Sequence, residues 1–264
     1  MERHPETRRF LLPLVKYLVM TLVMAASITT AVDAQKSILV VTVTKGFRHP
    51  SIETAEGVLE QIADRNGFRV SFARTDGDLQ SMMSEAALYR LDAVIFANTT
   101  GDLPLPDSAA FLAWIAAGHG FIGVHSAADT FHGFPAYLDM LGGEFDSHGD
   151  QATVIARVHD SEHPATRDFD ASMPIFDEIY LFKRFDPQRV QLLLSLDQHP
   201  NSGEAGSFPV AWWRRHGSGR VFYTSLGHRE DIWEAPWFQQ HLTGAILWAT
   251  TPSRRRPVRI GGQP

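Results

Sequence analysis

Gly120-Phe121-Ile122-Gly123-Val124-His125-Ser126-Ala127-Ala128-Asp129 is the stretch whose reading decides the fold. Its first five residues are apolar or small, as in a strand buried on both faces, and the chain leaves them without a spacer for His125 and a run of small residues. A hydrophobic strand that breaks into a sharp turn, with one side chain exposed at a helix start, has the form of a nucleophile elbow. The apex of such an elbow is His125. Imidazole is a poor acyl acceptor but suits proton transfer or metal ligation. Ser126, next to it, is an alternative nucleophile.

Upstream, residues 37–44 (SILVVTVT) read as a second buried strand ending in the loop Lys45-Gly46-Phe47-Arg48-His49-Pro50. Ser51 can cap a helix over 52–65, where Ile52, Ala55, Val58, Leu59 and Ile62 recur at helical spacing and Asn66-Gly67 supplies a stop. Strands over 69–73 and 91–97 and a helix over 107–117 complete the first half. Downstream, 220–225 (RVFYTS) is a late strand running into Leu226-Gly227-His228-Arg229-Glu230, and 237–250 is a closing helix. The stretch 142–209 is the least regular, with strands at 152–158 and 190–196, and is placed as a flap. The alternation of strand and helix predicts an α/β fold with a mainly parallel sheet and helices on both faces. Ligands in such folds collect at the carboxyl ends of the strands. His49, Asn98 to Asp102, His125 and His228 all fall just after strands, so their loops share one rim.

Composition narrows the chemistry. The 264 residues are 44% hydrophobic and 20% charged, with no cysteine, which removes thiol nucleophiles, disulfides and thiolate metal sites. A net charge of -6 provides no broad basic field, so nucleic acid is excluded as a partner and a small polar ligand is expected.

Residues 1–34 carry Arg3, Arg8 and Arg9 ahead of an apolar stretch closing on Val32-Asp33-Ala34. This reads as a signal peptide cleaved after Ala34, with a twin-arginine character at Thr7 to Leu12, and it predicts a periplasmic or secreted protein without stable membrane insertion. Residues 252–264 form a basic tail around Arg254-Arg255-Arg256.

Phe47-Arg48-His49, Thr99-Thr100-Gly101-Asp102, the elbow segment, Pro209-Val210-Ala211-Trp212 and Val221 to His228 occur in the order seen in ThuA-like proteins, and the chain resembles that trehalose-utilisation family from about 37 to 249. The resemblance implies a flavodoxin-like sheet of the class I glutamine amidotransferase type, with a histidine where the amidotransferases carry cysteine. Glutaminase activity is therefore not expected. It further implies disaccharide or 3-keto-glycoside catabolism and, in some members, a divalent metal such as zinc among histidines. His49, His125 and His228 match the family's motifs and are the expected metal ligands. His148, in Phe145-Asp146-Ser147-His148, is a weaker one because Gly149 stands where the family more often has proline.

His125 and His228 are also the expected acid–base pair, with Asp129 or Glu230 as orienter. Glu178, in Asp177-Glu178-Ile179-Tyr180, is a candidate carboxylate reaching over the rim. Arg48, Thr100, Asp102, Ser126 and Trp233 are the expected contacts to a carbohydrate ligand, Trp233 by stacking on a sugar face. Packing is the expectation for Trp212 and Trp237. Two functions remain open: a glycoside-processing hydrolase or lyase, and a non-catalytic sugar-binding or cell-envelope module. Oligomeric state is not legible.

Overall fold

The computed structural model describes Met1 and residues 35–251. The signal-peptide and basic-tail expectations lie outside the described residues. The first half alternates β1 (Ser37–Val41), α1 (Ile52–Asn66), β2 (Arg69–Ala73), α2 (Asp76–Met82), α3 (Glu85–Leu88), β3 (Ala93–Ala97), α4 (Ser108–Ala116), β4 (Gly120–Val124) and α5 (Pro135–Leu141). The second half contains β5 (Glu144–His148), β6 (Ala152–Val158), β7 (Ser172–Asp177), β8 (Tyr180–Lys183), β9 (Gln191–Gln198), β10 (Ala205–His216), β11 (Gly219–Thr224), α6 (Glu230–Glu234) and α7 (Pro236–Ala249).

Nine strands make one sheet in the order β2-β1-β3-β4-β11-β10-β9-β6-β7. The β2-β1-β3-β4-β11 half is parallel throughout, and the remaining pairings are antiparallel. β5 and β8 form a separate antiparallel ribbon. Parallel strands need covering on both sides, and the side chains show it. Ile38 and Val40 join a core packed by α1 and α7, whereas Leu39 and Val41 join the opposite core packed by α2, α4 and α5. The sheet therefore has a core on each face, within one α/β layer architecture of flavodoxin-like type.

Local chemistry sets the ends of these elements. Gly67 ends α1 in the left-handed region at φ 67°, where glycine carries no Cβ penalty. Asp107 caps α4 by accepting from Ala110 N at 2.8 Å. Ser51 does not cap α1 with its side chain. Its buried hydroxyl instead donates to Gly227 O and accepts from Asn98 Nδ2, so it links the first and last loops of the rim. No helix among the described residues is long and apolar enough to cross a membrane.

Candidate functional site: three histidines and a glutamate under a β-ribbon

The four loops at the carboxyl ends of the parallel strands converge, and a fifth segment closes over them. His125 follows β4 with φ 51°, a left-handed conformation that costs a non-glycine residue energy and is held only where the surroundings enforce it. A short 3-10 turn, His125–Asp129, continues from it. The elbow is thus present, but its apex is not exposed: His125 is fully buried, with the Tyr180 ring 4.3 Å away centroid to centroid. The cover comes from the turn between β7 and β8, which carries Glu178 and leads into Tyr180.

His49, His125, Glu178 and His228 each offer one donor atom, and these atoms all lie within 4.8 Å of one another. His125 Nε2 is 3.2 Å from His49 Nε2, Glu178 Oε1 is 3.6 Å from His125 Nε2, and Glu178 Oε1 is 3.2 Å from His228 Nδ1. Ligand atoms on a tetrahedral cation with bonds of about 2.0–2.1 Å stand ~3.3 Å apart, so these three separations match three of the six edges of such a tetrahedron.

Tautomers point the same way. His125 Nδ1 is 2.7 Å from the Ser225 carbonyl, which can only accept, so Nδ1 carries the hydrogen and Nε2 of the neutral ring presents a lone pair toward His49. A backbone carbonyl behind the far nitrogen is the usual support for a metal-binding imidazole. His49 Nδ1 is 3.4 Å from Ser126 Oγ, leaving its Nε2 facing His125. His228 Nδ1 is buried without a well-directed hydrogen bond despite its closeness to Glu178. An orphaned ring nitrogen beside a carboxylate, with two imidazole edges facing one another, is a donor set that fits a divalent cation.

Electrostatics follow from burial. Desolvation, then the neighbouring His49, holds His125 well below the usual histidine range. Desolvation, then the charge of His228, lowers His49 to about 4. His228 moves the other way, raised first by its contact with the Glu178 carboxylate. At neutral pH His49 and His125 are therefore neutral, and one carboxylate serves the group.

A buried frame holds the site. Asp177 Oδ2 accepts from Gly227 N at 2.7 Å and Oδ1 from Glu178 N at 2.9 Å, tying the loop of His228 to the turn of Glu178. The Gly227 carbonyl accepts from Asn98 Nδ2 at 2.9 Å and Trp233 Nε1 at 2.8 Å. Gly227 itself has φ 111°, and a Cβ there would meet Trp233 and Val124 atoms at 3.2 Å, so glycine is required next to His228.

The other expected residues divide. His148 lies beside the group rather than in it, with Nδ1 3.1 Å from Glu178 Oε2. Asp129 does not orient His125 or His228; it is engaged by His132, with Oδ1 2.7 Å from Nε2. Glu230 is exposed in the first turn of α6 and acts on His228 only through its charge. Trp233 does not line a pocket: it is fully buried beneath the site, its indole spent on Gly227. Ser126 is likewise fully buried, so its hydroxyl supports His49 instead of facing a substrate.

Thr100 is buried and pins the first loop, accepting from Gly46 N and donating to Phe47 O. Arg48 and Asp102 are exposed at the rim, Arg48 donating to Thr42 O at 3.3 Å. Trp212 is buried, though beside Leu141 and Tyr223 rather than under the last helix, and Trp237, in the first turn of that helix, packs against the core beside Phe169.

Asp177, Tyr180 and His132 escaped the sequence reading. Asp177 had one signal, its place beside Glu178; the spacing of Asp129 and His132 was the only signal for the latter. A groove of about 740 Å³ lined by residues such as Thr153, Arg157, Asp197 and Asn201 opens on the antiparallel extension and involves none of these groups.

Known proteins place the chain. A ThuA-like protein from Bacteroides uniformis aligns at TM-score 0.68 and 22% identity, over 81% of this chain and 91% of that one. One from Parabacteroides merdae aligns at 0.67 and 19%, over 82% and 90%. PurLQS from Thermotoga maritima aligns at 0.51 and 16%, over 81% and 99%, a likeness of fold on the amidotransferase-like scaffold. No curated protein sequence matches the chain. The ThuA family model, described as trehalose utilisation, matches residues 37–249, most of the length, and the chain belongs to the ThuA family.

Proposed function

We propose that this protein binds a carbohydrate-derived ligand at the rim of His49, His125, Glu178 and His228, with a divalent cation such as zinc held by these four, and processes a glycoside there. The family ties the chain to trehalose-utilisation-related carbohydrate metabolism. The observation that carries the finer reading is the set of donor separations of 3.2, 3.2 and 3.6 Å. A cation held by these four would supply Lewis acidity toward a sugar keto or hydroxyl oxygen by accepting it as a fifth ligand.

The chain's own groups have separate tasks. His125, with Nδ1 fixed on Ser225 O, keeps Nε2 free of hydrogen. His148 is half-exposed, with Nδ1 near Glu178 Oε2, and is the imidazole of the set best placed to exchange a proton with solvent. Tyr180 and the Glu178 turn exclude water from His125. Cleavage proceeds by elimination or hydrolysis. The segment before Gln35 directs the protein to the periplasm or outside, which recovery of a chain beginning at Gln35 from that fraction checks.

A sugar-binding module without turnover is the second reading, favoured by one observation: His125 is 0% exposed. Assay of the mature chain on glycosides and their 3-keto forms, with and without chelator, separates the two. Turnover lost on chelation and in His148→Ala, and restored to Ser126→Ala by excess zinc, supports the enzyme. Sugar binding without turnover selects the module, and a loss of turnover in Ser126→Ala that excess zinc does not restore, with the fold intact, reinstates a serine nucleophile.

A further inference from the structure

A second ionic cluster sits where the chain leaves the elbow. His132 Nδ1 is 2.8 Å from Glu144 Oε1, and its Nε2 is 2.7 Å from Asp129 Oδ1. Carboxylates only accept, so both contacts are hydrogen bonds only when both ring nitrogens carry hydrogen, that is, when the ring is an imidazolium. A neutral ring has one N–H and turns a lone pair on the other carboxylate.

The two carboxylates belong to different segments. Asp129 ends the 3-10 turn that begins at His125, and Glu144 opens β5. β5 is paired to β8, with Glu144 opposite Lys183 and His148 opposite Tyr180, and Glu178 lies two residues ahead of β8. Among the described residues the remaining charges on the cluster are Lys183 Nζ, 3.3 Å from Glu144 Oε1, and Arg184 Nε, 3.8 Å from Oε2. Phe131 and Arg184, at its two ends, both hold left-handed backbones, with φ 63° and 56°. Strain of this kind persists only where contacts hold it in place.

We propose that His132 is a positioning residue which, when protonated, clasps the β5–β8 ribbon to the elbow turn and so holds Glu178 and His148 over His49 and His125. The clasp is a property of the fold; its effect on the site rests on the reading of His49, His125, Glu178 and His228 as a cation site. Burial opposes the imidazolium, but the hydrogen bonds and charges of Glu144 and Asp129 leave the pKa of His132 raised. A raised folded value means that the clasp is complete below the ordinary histidine range and is released as pH rises through the folded value.

The test uses the full mature chain, wild type, His132→Gln and His132→Lys, the last keeping a permanent charge. Three readouts are compared from pH 6 to 9: the NMR titration of His132, amide hydrogen exchange of β5 and β8, and zinc affinity taken as the wild-type to variant ratio at each pH. The expected result is a His132 titration above the ordinary value, with ribbon protection, taken relative to the intrinsic exchange rate at each pH, falling across it in the wild type only. His132→Gln is expected to exchange fast throughout and to bind zinc about tenfold more weakly at pH 6, the lower end for groups that orient metal ligands, with the ratio falling toward unity at pH 9. His132→Lys is expected to retain its protection across the range.

An unshifted His132 titration, or ribbon exchange in the wild type that ignores it, overturns the clasp, and neither measurement depends on the variants folding. Absence of zinc binding in the wild type overturns the cation site alone, because titration and exchange still report on the clasp.

Discussion

His49 Nε2 and His125 Nε2 face one another across 3.2 Å, from the loop after β1 and the elbow after β4. With His125 Nδ1 committed to Ser225 O, the nearer nitrogen of that ring has a lone pair and no hydrogen. Either the His49 N–H or a shared cation can satisfy it. The Glu178 carboxylate, 3.6 Å from the same nitrogen, supplies the negative charge on which the proposed cation depends.

Glu178 should therefore control both the cation and the charge of His228. Glu178→Gln is expected to weaken zinc affinity by about 10–100-fold while the thermal transition persists. In the metal-free variant the His228 imidazole should titrate lower than in the wild type, because the Glu178 contact is the leading cause of its raised value. An NMR titration of the two proteins checks this.

Asp177 should leave a signature in stability against pH. Burial raises its carboxyl from 3.8 to about 6, so the folded state holds that proton more tightly than the unfolded chain. Its contribution is present below pH 3.8 and is lost as pH rises through about 6. Asp177→Asn cannot titrate, and the stability difference between wild type and variant is expected to fall over that window by at most about 3 kcal/mol. Denaturant unfolding of the two proteins at matched pH values measures it; a pH-independent difference contradicts the assignment.

Trp233 should act on stability and not on ligand. Trp233→Phe keeps most of the ring but loses the bond to Gly227 O. The expected cost is about 1 kcal/mol, or roughly 2–4 °C in Tm, with sugar binding unchanged. A selective loss of sugar affinity in calorimetry, with Tm preserved, would return Trp233 to the pocket.

The parallel half of the fold was legible because its signals are local. The run at 37–44, the helical spacing from Ile52 to Ile62 with its Gly67 stop, and Gly120 to Val124 feeding His125 each declare themselves within fifteen or so residues. Of the antiparallel extension, β6 and β9 were legible as the runs at 152–158 and 190–196, but β7 and the separate β5–β8 ribbon were not, because such short strands acquire their pairing from distant partners, and the Gly/Ser/Asn stretch near 201–207 concealed the start of β10. The same division runs through the site. His49, His125 and His228 could be placed by their positions after parallel strands, whereas Glu178 arrives from the extension and showed only as a carboxylate in a short motif. The tasks of Asp129, Ser126 and Trp233 depend on partners that the sequence does not display: His132 for the first, the ring of His49 for the second and the carbonyl of Gly227 for the third.

The most direct measurement is the metal content of the mature protein, purified without chelators or a histidine tag, beside His49→Ala, His125→Ala, Glu178→Gln and His228→Ala. The expected result is about one divalent ion per wild-type chain, with the content reduced in each variant while circular dichroism shows the fold retained. A wild-type protein that holds no divalent ion, even after incubation with zinc, cobalt or manganese and removal of the excess, contradicts the account and leaves the four residues as a buried hydrogen-bonded network.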